Sequence, residues 1–150
     1  MMKAVLQLIT AFAGYLGFAL LFNVRGRKLL PVGLGALLTW GTCLLSGLVI
    51  PSEACCYFLA SVLLTIYAEV MARVEKSPAT VFLTGGVIPL IPGSSLYTTM
   101  SCAIQSDWTG FSRQGLHTLI LALAIALGIL FTMSLLETGK QLVQQHRRGT

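Results

Sequence analysis

Charge is what this sequence has least of: five Asp and Glu and ten Lys and Arg in 150 residues, 10% in all, where a soluble domain carries about 25%. A chain that is 55% hydrophobic with a mean hydropathy of +0.83 is an integral membrane protein. At roughly 20 residues per crossing it holds a handful of spans, read as one all-α transmembrane domain over 1–150. Histidine is scarce too. His117 and His146 have no acid pair or Cys partner spaced to build a nucleophile and its base. Phosphate loops, zinc-ligand spacings and G-x-S-x-G are missing as well. No enzyme, metal site or cofactor is expected. Cys43, Cys55, Cys56 and Cys102 include no C-x-x-C pair and read as small packing residues.

A net charge of +5 would point to nucleic acid in a soluble protein. Here the basic residues occupy short connections between apolar runs, so their placement reports topology. The expected surroundings are a lipid bilayer, with no nucleic-acid role. Lys3 and Ala11-Phe12-Ala13 imitate a signal peptide with a cleavage site. The apolar run continues to Phe22, however, and the strong basic cluster follows it, the reverse of a signal peptide's order.

Charge-free runs predict spans at 4–22, 32–50, 54–72, 80–105 and 115–136, with a basic cytoplasmic tail over 137–150. About five transmembrane helices put the termini on opposite sides. Eight of the ten basic residues then share one side: Arg25, Arg27, Lys28, Arg73, Lys76, Lys140, Arg147 and Arg148. The positive-inside rule makes that side cytoplasmic, with the N-terminus outside and the C-terminus inside. Trp108, Phe111 and Tyr57 are expected at headgroup level. The small-residue pairs Ala13/Gly17, Thr42/Ser46 and Ala124/Gly128 would let helices approach closely.

The fourth run, 80–105, is uncharged but cannot be one plain helix. Gly85, Gly86, Pro89, Pro92 and Gly93 interrupt it, and proline lacks the N–H a helix interior needs. Non-helical backbone at membrane depth is tolerated only where it is buried in protein or lines a watery cavity. The expected form is two half-helices, the second capped by Ser94 or Ser95. Ser94, Thr98, Ser101 and Gln105 would share one face of it. Discontinuous helices commonly hold transporter substrates. Free N–H groups at 93–96 would suit a carboxylate, and carbonyls around 87–90 an ammonium. The candidate substrate-binding residues are Pro92, Gly93, Ser94, Ser95, Thr98 and Ser101. In the plainer reading the prolines only kink the span, and the hydroxyls bond back to the helix or across to neighbours. Glu69, the acid within an apolar span, is a candidate for proton coupling. It is equally a partner for Arg73, four residues on.

GFALLFN (17–23) and VIPLIPGSSLYTTM (87–100) resemble the threonine/serine exporter family. The likeness runs from about 14 to 141, and the P-x-x-P-G segment with Tyr97 is its most specific part. More closely, the chain is similar to the small subunit that corresponds to the carboxy-terminal half of fused exporters. That resemblance implies proton-driven export of L-threonine and L-serine from a bacterial cell across its inner membrane, or in some relatives of a dicarboxylate such as succinate. It also implies a larger membrane partner matching the amino-terminal half. A subunit that only supports that partner is the alternative.

Overall fold

The computed structural model describes residues 29–148, together with Thr10, Gly14 and Gly17. The first expected span and the Ala13/Gly17 pair therefore lie, apart from those positions, outside the described residues. The elements are α1 (Leu29–Val49), α2 (Glu53–Val74), α3 (Ala79–Val87), a 3-10 turn (Ile88–Leu90), α4 (Gly93–Ile104) and α5 (Trp108–Arg148). The described chain is all-helical, as its composition requires.

Local chemistry sets each boundary. Pro31 falls in the first turn of α1, where a missing N–H costs little, and Pro51 follows that helix. Glu53 opens α2 and Arg73 lies in its last turn, each matching the helix dipole. Lys76 takes a left-handed φ of 50° in the turn beyond, and Pro78 caps α3. Ser106, at φ 58°, reverses the chain after α4. Asp107 then caps α5, its Oδ1 accepting the Gly110 N–H at 3.0 Å.

Three helices are long and apolar enough to cross a membrane: Leu30–Val49, Glu53–Val74 and Trp108–Gly139. The pair Ala79–Leu90 and Gly93–Ile104, bent by 53°, is a fourth candidate crossing. α3 starts just beyond the end of α2, whereas α4 finishes at the start of α5, whose His117 reaches Glu53 at the opposite end of α2. Among the described residues, 32–50 and 54–72 fall on α1 and α2, 80–105 on the α3–α4 pair, and 115–136 within the longer α5. α5 continues into the 137–150 stretch as far as Arg148. Glu, Lys, Gln, Leu and Arg there are good helix formers with no proline among them.

Two clusters hold the bundle. Val32, Ala36, Ala68 and Phe82 join α1, α2 and α3. Tyr57, Ala60, Leu64, Leu90, Leu121 and Ile125 join α2, the 3-10 turn and α5. Tyr57, expected at headgroup level, is 8% exposed and belongs to the second of these buried clusters. Because lipid tails are as apolar as leucine, close packing rather than exclusion from water holds such contacts. The Ala124/Gly128 expectation is met on one side, since a Cβ on Gly128 would strike Ser61 Oγ and come within 2.8 Å of Phe58 O. A Cβ on Gly86 would likewise overlap Leu64 Cδ1.

A candidate translocation site at the broken crossing

Leu90 is fully buried and shares one cluster with Ala60, Leu64, Leu121 and Ile125, which lie well inside their apolar helices. The break therefore sits at mid-depth of the bundle. Pro89 lies within the 3-10 turn and Pro92 is the N-cap of α4, with no side-chain capping bond. Ser94 and Ser95 accordingly do not cap the helix. They fall inside its first turn, because proline's fixed φ and missing N–H let the helix restart one residue earlier than a serine cap would.

The backbone donors at the restart are partly engaged. Gly93 N–H donates to Ile91 O at 2.7 Å and Leu96 N–H to Pro92 O at 3.0 Å. Ser94 and Ser95 carry the remaining N–H groups of that turn. Pro92 and Ser95 are buried, whereas Gly93, Ser94 and Thr98 are exposed and Ser101 is half-buried. No atom lies within 4 Å of a Cβ built on Gly93, so this side of the restart is open.

The hydroxyls behave as the plainer reading expects. Thr98 Oγ1 donates to Ser94 O at 2.9 Å, Thr99 Oγ1 approaches both Ser95 O and Thr118 Oγ1, and Gln105 Nε2 donates to Ser101 Oγ. The stripe is nonetheless continuous along one face, from Ser94 at the break to Gln105 at the far end of α4. Back-bonding satisfies the donors of Thr98 and Thr99 and leaves their oxygens able to accept, while Ser101 Oγ already accepts from Gln105.

At that far end α4 and α5 enclose an open groove of about 380 Å³ lined by Thr98, Cys102, Gly110, Arg113, Gln114 and His117. Of the six candidate residues, only Thr98 reaches it. His117 Nε2 is 3.3 Å from Glu53 Oε2, bridging the starts of α5 and α2, while its Nδ1 is buried without a hydrogen-bond partner. Arg113 has no ion-pair partner among the described residues. Glu69 is mostly buried and pairs with the exposed Arg73 at 3.6 Å. Trp108 is exposed and meets Phe111 edge to face at 6.1 Å, as interfacial aromatics would. None of the described residues form a His, Cys, Asp and Glu cluster able to hold a metal.

Sequence reasoning missed Arg113, Gln114 and the Glu53–His117 bridge because it began the fifth span at Gly115. That left Arg113 in a loop and separated it from His117. The signal was the spacing of 110, 113, 114 and 117, one face of a helix once Asp107 is recognised as its cap. No solved structure matches the chain. The family described as Threonine/Serine exporter, ThrE, matches residues 7–135. That match takes in the break, the groove and every described crossing, and the chain belongs to the threonine/serine exporter family.

Proposed function

We propose that this chain is the smaller subunit of a two-component secondary exporter of L-threonine and L-serine in a bacterial inner membrane, driven by the proton motive force. The observation that carries the reading is the mid-depth break at 88–92, from which a hydroxyl stripe leads to a groove at one end of the bundle. Pro92, Gly93, Ser94, Ser95, Thr98 and Ser101 form the substrate path, with the Ser94 and Ser95 N–H groups facing the carboxylate. Glu69 serves the coupled proton. The groove faces outward and the Arg73 end faces the cytoplasm, in keeping with the basic connections.

The exposed stripe also supports a partner. Ser94, Thr98 and Gln105 lie on the outside of these helices, and polar positions in a span usually face protein or water. A larger membrane subunit over α4 would enclose them. Flux of labelled threonine and succinate in vesicles holding this chain, with and without its larger partner, tests the proposal. Threonine flux only in the paired sample, abolished by collapsing the proton gradient, is expected. Succinate flux alone would replace the substrate, and gradient-independent threonine flux would remove the coupling.

A further inference from the structure

We infer that the α4/α5 groove is a binding site for a small carboxylate-bearing zwitterion, with Arg113 and Gln114 on the carboxylate and the Glu53–His117 bridge facing the ammonium. The inference rests on the exporter reading and adds to it a second site, outside the break and on residues that the family match alone does not single out.

The size and lining of the groove carry it. The groove measures about 380 Å³, at the small end of the roughly 300–1,000 Å³ typical of ligand pockets, which suits a metabolite rather than a peptide. Its wall holds one cation without an ion-pair partner among the described residues, Arg113. A guanidinium beside an amide donor is a planar recognition surface for a carboxylate. The neighbouring acid, Asp107, is not among the lining residues; its Oδ1 accepts the Gly110 N–H and its Oδ2 stands behind the Gly110 wall near Cys102.

Charge at the other end of the groove selects between ligands. His117 follows Arg113 by one helical turn, about 6 Å along the axis, and behind it stands the Glu53 carboxylate. A zwitterion meets the Arg113 cation at one end and, at the other, His117 with the Glu53 carboxylate held behind it outside the lining. A dicarboxylate would press its second carboxylate toward Glu53, which like-charge repulsion opposes. Thr98 belongs both to this groove and to the stripe leading to the break. A ligand held here is thus one turn of α4 from Ser94, and the groove is the outer station of the path.

The groove has its own reporter, the half-buried thiol of Cys102. The test is maleimide modification of Cys102 in native membranes, read by peptide mass spectrometry, with L-threonine, L-threoninamide and succinate as probes. Threonine at about ten times its Kd should slow modification roughly 10-fold by simple occupancy. Threoninamide, lacking the carboxylate, should not. Arg113→Gln should raise the protecting threonine concentration about 10-fold or more, while Arg113→Lys should retain part of the protection. Threonine export without protection of Cys102 overturns the site and leaves the exporter reading standing. Protection unchanged in Arg113→Gln overturns the role of Arg113. Succinate protecting as well as threonine overturns the placement of Glu53, and succinate export in place of threonine export would identify a failure of the exporter reading instead.

Discussion

The two halves of the broken crossing are both uncharged and have opposite surroundings. α3 and its 3-10 turn are locked in: Phe82 and Leu90 are fully buried, and Gly86 lies where no side chain would fit beside Leu64. α4 buries Ser95 alone and packs mainly on α5, while Tyr97 is 76% exposed, Met100 63% and Ile104 85%. One half is a fixture of the bundle, and the other rests on it by one face. A broken helix thereby separates anchoring from function: the anchored half fixes the depth of the break, and the free half presents polar groups to a ligand or a partner.

The contrast can be broken most sharply at the glycines. Gly128→Leu would drive a side chain into Ser61 and the Phe58 carbonyl, and backbone cannot yield as a side-chain tip can. Overpacking of this kind costs about 1–3 kcal/mol or more, and size-exclusion profiles in detergent should show little folded protein. Gly93→Leu in α4 meets open space and should leave the same profile unchanged.

Phe82→Ala is next. It opens a void at the junction of α1, α2 and α3 and should cost a few kcal/mol, the cavity part of the roughly 3–5 kcal/mol found for Phe→Ala in soluble cores. Tyr97→Ala should change thermal stability by less than about 0.5 kcal/mol in the isolated chain. Equal losses at 82 and 97 would erase the distinction between the halves.

A smaller effect tests how α4 is held. Thr99 Oγ1 and Thr118 Oγ1 lie 3.3 Å apart, and a double-mutant cycle with Thr99→Val and Thr118→Val should give about 0.6 kcal/mol of coupling. Several kcal/mol would mean that α4 is clamped. The smallest stability change is expected for Glu69→Gln. Its partner Arg73 is 61% exposed, so solvent screens the pair and the loss should stay within about 0.5 kcal/mol. Transport tests the coupling role of Glu69: a flux that no longer responds to pH in Glu69→Gln fits proton coupling, and an unaltered pH profile removes that role.

Much of this was legible in the sequence because membrane helices leave strong marks. Uncharged runs located the described crossings, and two prolines within four residues located the break, since proline acts on the backbone locally. The Glu69–Arg73 pair was readable for the same reason, being four residues apart on one helix. What stayed hidden depends on which helices adjoin. Tyr57 looked interfacial from its place near a helix end, a place that does not show its burial in a cluster with Leu90 and Leu121. Arg113 looked like a loop residue because a single charge hid the true start of α5. The Glu53–His117 bridge links positions 64 apart in sequence, and no periodicity encodes such a pairing.

The most direct test is labelled-threonine flux through the complete complex carrying Gly93→Leu together with Ser94→Ala. Neither change disturbs the buried core, so normal amounts of folded complex with flux reduced at least about 10-fold are expected if α4 lines the path. Normal flux through that variant would contradict the assignment and leave α4 as a surface for the partner alone.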